Sequence, residues 1–141
     1  ISFKNVEKIY GAGAARVAAL RGIDLEIPEG EMCAVMGPSG AGKSTLLHLA
    51  AGLTTPDVGE VIVAGKDLSK LTQDELALMR RREIGIVFQF FNLLPYLSAR
   101  DNVALSLQLD SLPRADVHRR VDDALELVGL AGSRAERRRL P

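Results

Sequence analysis

A lysine and a hydroxyl placed directly behind a glycine-rich turn can hold the phosphates of a nucleotide. The run Gly37-Pro38-Ser39-Gly40-Ala41-Gly42-Lys43-Ser44 supplies that arrangement, matching G-x-x-x-x-G-K-[ST] at every fixed position. Its glycines let the backbone curl so that N–H groups point inward and form a concave nest of donors for phosphate oxygens. Side chains on Gly40 or Gly42 are expected to obstruct that nest. Lys43 brings a full positive charge to the β- and γ-phosphates, and the Ser44 hydroxyl is placed to ligate Mg²⁺. Residues 44–51, which include Thr45, read as a helix whose N-terminus adds a partial positive charge aimed at the same anion. The chemistry implied is binding of a nucleoside triphosphate.

Such a loop must sit between a strand and a helix, and the chain offers both. The apolar run 32–36, containing Cys33, precedes the loop and suits a buried strand. Residues 84–88, Ile-Gly-Ile-Val-Phe, read as a second parallel strand buried on both faces. Gln89 follows at its carboxyl end, where ligands of open α/β sheets bind, so it is expected to reach the crevice of Lys43. Strand-like residues also occupy 1–10, 22–27 and 59–64, separated by the loop Gly11-Ala12-Gly13 and the turn Pro56-Asp57-Val58-Gly59. These predict a small antiparallel sheet. Thr72 and Glu75 form a capping-box pattern, with Leu71 and Leu76 at staple spacing, for a helix running to about Arg82. From Ser98, read as an N-cap, with Asp101 in the first turn and Val103, Leu105, Leu107 and Leu109 following, a helical region opens. A second helix over 114–128 places Val117, Val121, Leu125 and Val128 on one stripe, with Gly129 as its C-terminal cap.

The 141 residues are 47% hydrophobic and 26% charged, a composition of globular and not disordered chains. Eighteen basic and eighteen acidic residues leave no net charge, so the overall field gives no argument for a nucleic-acid partner. No apolar run reaches the ~20 residues of a membrane span, and one cysteine excludes an internal disulfide framework. The expected setting is reduced and cytoplasmic, with any membrane association made through a partner. The triads Arg80-Arg81-Arg82 and Arg137-Arg138-Arg139 read as solvated faces, and His48 as a packing or surface residue of the loop helix.

Several ordered motifs together resemble one family. Tyr10, residues 37–45, Pro56-Asp57-Val58-Gly59-Glu60 and Val87-Phe88-Gln89 look like the ATP-binding cassette of ABC transporters. The continuation Phe90-Phe91-Asn92-Leu93-Leu94-Pro95, with Asn102-Val103, resembles the branch of lipoprotein-releasing, macrolide-efflux and cell-division complexes. The resemblance implies an α/β fold: a P-loop NTPase core with a RecA-like parallel sheet, incomplete here, an antiparallel β subdomain and a helical subdomain. It implies that residues 1–97 hold the first two and 98–141 the start of the third. It also implies that Tyr10 stacks on adenine, that residues 37–45 hold ATP, and that Gln89 contacts Mg²⁺ and the attacking water while sensing a transmembrane subunit. The implied partners are a membrane permease, fused or separate, and a second cassette in a nucleotide sandwich; the implied place is the inner face of the cell membrane.

The family's signature motif, L-S-G-G-Q-like, and its later acidic strand end do not occur in residues 1–141. The segment is therefore expected to be the front part of a cassette that binds ATP without hydrolysing it alone, the full-length protein driving export or extraction. Two other classes fit the loop. A repair or translation cassette is disfavoured by the compact, single segment. A small phosphotransferase would need arginines facing the loop, a part Arg119 and Arg120 can imitate.

Overall fold

A computed structural model of the chain describes residues 1–110 and 112–131. It divides into two compact units, Ile1–Ile86 and Val87–Pro141. Residues 87–97, which the sequence groups with the nucleotide-binding part, fall in the second unit.

The first unit is built on β1 (Ser2–Tyr10), β2 (Val17–Glu26), β3 (Val58–Val63) and β4 (Lys66–Asp67), antiparallel throughout in the order β2-β1-β3-β4. β1 is the informative strand. Its register slips on both sides near Asn5, which has φ +47 and donates its N–H to Asp24 Oδ1 at 2.8 Å. The extra residue resets the strand's alternation. Phe3, Val6 and Lys8 are the buried positions, so Lys8 and Tyr10 lie on the face that Val6 commits to the core. Gly59 permits this bulge, because a Cβ there would stand 2.3 Å from the Asn5 carbonyl oxygen.

Helices α1 (Lys43–Ala50) and α2 (Gln73–Arg82) supply the rest of this core. Leu49 from α1 and Leu76 and Met79 from α2 pack with Phe3, Val6, Leu20, Val61 and Val63. Leu49 is 1% exposed; burial of a side chain its size stabilises by about 1.5–3 kcal/mol, which makes it the main anchor of the helix behind the loop. α2 starts as its sequence requires, with Thr72 and Glu75 completing the capping box and Leu71 packed on the same core as Leu76. Arg80 departs from the expected solvated triad. It is half-buried and donates from Nη1 to the Gly52 carbonyl at 2.5 Å, tying α2 to the C-terminal end of α1.

Two expectations are corrected. Residues 32–36 and 84–88 form no strands; Cys33 is exposed, Met32 is 101% and Val87 101% exposed. A parallel strand is held by ladder bonds from neighbours and by helices over both faces. Among the described residues every ladder is antiparallel and none includes these runs. Only Ile84 packs on the core.

The second unit pairs α3 (Ala99–Gln108) with α4 (Arg114–Leu127). Ala104, Val117, Val121 and Leu125 are its buried core, and the guanidinium of Arg100 on α3 donates to the Asp122 carboxylate on α4. Val128, expected on the stripe, is 64% exposed because it is already the C-cap, with φ −100° and ψ 12°. Gly129 N–H donates to Glu126 O and Leu130 N–H to Leu125 O, closing α4 where the sequence placed its cap. The start of α3 is doubly fixed. Ser98 and Asp101 form a capping box, and Asn102 clamps the incoming loop by accepting from Leu94 N–H at 2.8 Å and donating to Leu94 O at 3.2 Å. The second arginine triad lies outside the described residues.

Candidate functional site

The phosphate loop joins residue 36 to α1, and its geometry follows from three positions. Gly42 is the N-cap of α1 at φ +87, and Leu46 N–H donates to its carbonyl at 2.9 Å to begin the helix. A Cβ on Gly42 would stand 2.5 Å from the Ala19 carbonyl oxygen and 2.9 Å from Leu20 Cδ2, so the loop lies directly against β2. Gly40, at φ +79, faces open space. The expectation that side chains on both glycines obstruct the nest is corrected: a Cβ on Gly42 collides with β2, and one on Gly40 meets open space and is opposed only by the left-handed backbone. Lys43 reaches back over the loop, its Nζ donating to Gly37 O at 2.8 Å and Pro38 O at 2.7 Å.

The start of α1 is open in a way that α2 and α3 are not. It has no side-chain cap and no acidic residue in its first turn, whereas the other two carry complete capping boxes. The first-turn N–H groups of a helix have no intrahelical acceptors, so an anion can take them. Ser44 is exposed and Thr45 half-buried in this turn. The donors, the Lys43 ammonium and the accessible Ser44 hydroxyl therefore fit a phosphate chain with an associated divalent cation.

Tyr10 ends β1 opposite Val17 and is 43% exposed. Val17 lies two residues before Ala19, the residue against the loop, so about 7 Å of strand separates the Tyr10 position from Gly42's neighbour. The structure thereby brings Tyr10 and the loop to one stretch of β2. Beside the ring, Lys8 Nζ lies 5.7 Å from its centroid and pairs with Asp57 at 3.1 Å. The Ile9 amide, and next the Lys8 ammonium, hold the Asp57 carboxyl below its ordinary value. Gln89 is exposed in a bend of the second unit. His48 is exposed in the last turn of α1, away from the loop's donors. Arg119, the residue considered for a phosphotransferase, pairs with Asp116 on its own helix at 3.2 Å. Among the described residues no group of three or more His, Cys, Asp or Glu side chains could hold a metal, and no helix is long and apolar enough to cross a membrane.

Residues 20–140 match the family model described as ABC transporter. The chain belongs to this family, as a part of its ATP-binding domain. Sequence identity to the methionine import ATP-binding protein MetN of Geobacillus kaustophilus is 45%, over 94% of this chain and 38% of that protein. Identity to the lipoprotein-releasing system ATP-binding protein LolD of Oleidesulfovibrio alaskensis is 40%, over 96% of this chain and 59% of that protein. A solved dimeric ATP-binding cassette in a post-hydrolysis state, bound to ADP and Pi, superposes with a TM-score of 0.83 at 39% identity, covering 91% of this chain and 56% of that one. The α/β cassette fold expected from the sequence is thus established. The chain spans about half the length of the curated relatives it matches, 38% and 59% in these two. The lipoprotein-releasing branch is among the relatives, and an importer stands beside it.

Within this ABC cassette segment, three residues matter that motif reading alone passed over. Asp57 pairs with Lys8, whose Nζ lies 5.7 Å from the Tyr10 ring centroid, and Asn102 holds the loop that leads from Gln89 to α3. Asp57 and Asn102 lay inside quoted motifs, so their positions were visible in the sequence while their partners were not.

Proposed function

We propose that this chain is the nucleotide-binding front of an ABC transporter's ATP-binding subunit, which couples ATP binding and hydrolysis to movement of a substrate by a transmembrane permease partner. The observation that carries it is the uncapped start of α1, set behind left-handed Gly42 with Lys43 over the loop. Lys43 bonds two neutral carbonyls of the loop. Phosphate oxygens offer charged acceptors, and charge-assisted bonds are roughly twice as strong, so Lys43 exchanges partners when the triphosphate arrives. The amides of the first turn of α1 hold the phosphates, Ser44 supplies a hydroxyl ligand to Mg²⁺, and Tyr10 takes the adenine by stacking. A Mg²⁺ ion held through the Ser44 hydroxyl would supply positive charge to offset that of the phosphates. Gln89 orients water and reports the nucleotide state to the permease.

The proposed subunit works at the cytoplasmic face of the membrane, paired with a second cassette; the dimeric state of the structural relative supports that pairing. The expected direction, export or extraction, is supported by the lipoprotein-releasing relative, and the methionine import relative carries the opposite one. Transport assays with the full-length protein decide between them.

Titration with a fluorescent ATP analogue tests the site. Lys43→Ala is expected to weaken binding about 10- to 150-fold, from the ~1.5–3 kcal/mol of hydrogen bonds made to a charged group. Ser44→Ala is expected to keep the lysine's contribution and lose most of the gain from added Mg²⁺. Equal affinities for wild type and Lys43→Ala would remove the assignment.

A further inference from the structure

β1 carries a buried cation that the phosphate loop does not use. Lys8 is 9% exposed, and an ammonium held out of water is costly unless it is paired. Its partner is Asp57, whose Oδ1 accepts from Lys8 Nζ at 3.1 Å while Oδ2 accepts from Ile9 N–H at 2.6 Å. Asp57 N–H donates in turn to Glu7 O at 3.0 Å. One residue of the turn before β3 therefore fixes the β1 backbone on both sides of Lys8.

The fixed ammonium lies over the Tyr10 ring, 5.7 Å from its centroid and within cation–π range. Lys8 and Tyr10 share a strand face because they are two residues apart, and the Asn5 bulge selects that face. Tyr10 nonetheless stays 43% exposed. A cation on one face draws π density toward itself and lowers the negative potential of the other, which favours stacking of an electron-rich ring there. We infer that Lys8 and Asp57 are positioning residues for nucleobase recognition: Asp57 holds Lys8, and Lys8 holds and polarises the Tyr10 ring so that its free face takes a purine. This rests on the reading of Tyr10 as the base platform.

The test compares ATP with tripolyphosphate, which has no base, on the full-length protein, with Tyr10→Ala, Lys8→Met, Lys8→Arg, Asp57→Asn and the double variant Lys8→Met/Tyr10→Ala. The expected result is a three- to tenfold weaker ATP affinity for Lys8→Met, unchanged tripolyphosphate affinity, and recovery in Lys8→Arg. Asp57→Asn is expected to follow Lys8→Met. In the Tyr10→Ala background Lys8→Met should add nothing. A loss shared by both ligands, a loss persisting without Tyr10, or no loss at all overturns the positioning role while leaving the platform intact. If Tyr10→Ala itself affects ATP and tripolyphosphate alike, the platform reading fails, and the positioning role fails with it.

Discussion

Gly40 and Gly42 look equivalent in the motif, yet the structure separates them by what lies beyond each α-carbon. Gly40→Ala meets open space and bears only the left-handed strain of φ +79, about 1–2 kcal/mol. Gly42→Ala bears the same kind of strain and also drives a methyl to 2.5 Å from the Ala19 carbonyl, so the loop or β2 must move. Thermal unfolding and ATP titration of the two variants should show Gly42→Ala as clearly the more damaging in both. Equal damage would mean that the contact between loop and β2 is unimportant. The left-handed glycines and the lysine of the proposed phosphate site were legible in the sequence because backbone conformation and charge are local properties. The Ala19 contact was not, because it joins positions 23 residues apart that no motif links. The same holds for Asp57, which acts on Lys8 across 49 residues.

At the scale of elements, the helices announced themselves and two strands did not form. α2 and α3 begin at their capping boxes, and α4 buries three of the four stripe residues, since caps and 3.6-residue periodicity are written into neighbouring positions. Runs 32–36 and 84–88 have strand composition, but a strand exists only through its pairing partners, which composition does not name. Asn102 shows a long-reach element contact that can be tested. Asn102→Ala removes the clamp on Leu94, and unmaking hydrogen bonds of half-buried backbone costs about 1–3 kcal/mol. Hydrogen exchange should rise at Leu94 and the start of α3 while the amides of α1 and α2 stay protected; unchanged protection at Leu94 would refute the clamp. Acid should act on the first unit through its tethered carboxylates. Asp57 is lowered by the Ile9 amide and Lys8, Asp67 by Lys70 and Ser69, and Glu75 by the Thr72 amide and hydroxyl. Each folded pKa lies below its ordinary value, 3.8 for Asp and 4.5 for Glu, so the stabilisation is complete above that value and is lost as pH falls through the folded one. Chemical-denaturation midpoints should therefore be flat from pH 7 to about 5 and fall below it, with Asp57→Asn flattening part of the fall.

At the scale of the whole molecule, the groups of the proposed nucleotide site come from one compact unit. The phosphate loop, its helix and the proposed base platform belong to a single unit with its own core. The proposed binding asks only for these groups, because amides, a lysine and a ring are all carried by β1, β2 and α1. Turnover asks for more: phosphoryl transfer depends on an oriented water and on charge placed around the γ-phosphate from the side opposite the loop. In the family the sequence resembles, that side is supplied by the signature motif of a second cassette, and residues 1–141 contain no such motif. The 141-residue chain is therefore expected to bind the ATP analogue, saturably and dependent on Lys43, and to release phosphate no faster than buffer even at high protein concentration. The full-length protein, assayed identically, should turn ATP over, and Lys43→Ala should abolish that activity. Phosphate release by the 141-residue chain that disappears in Lys43→Ala would show that these residues complete the site without a signature motif.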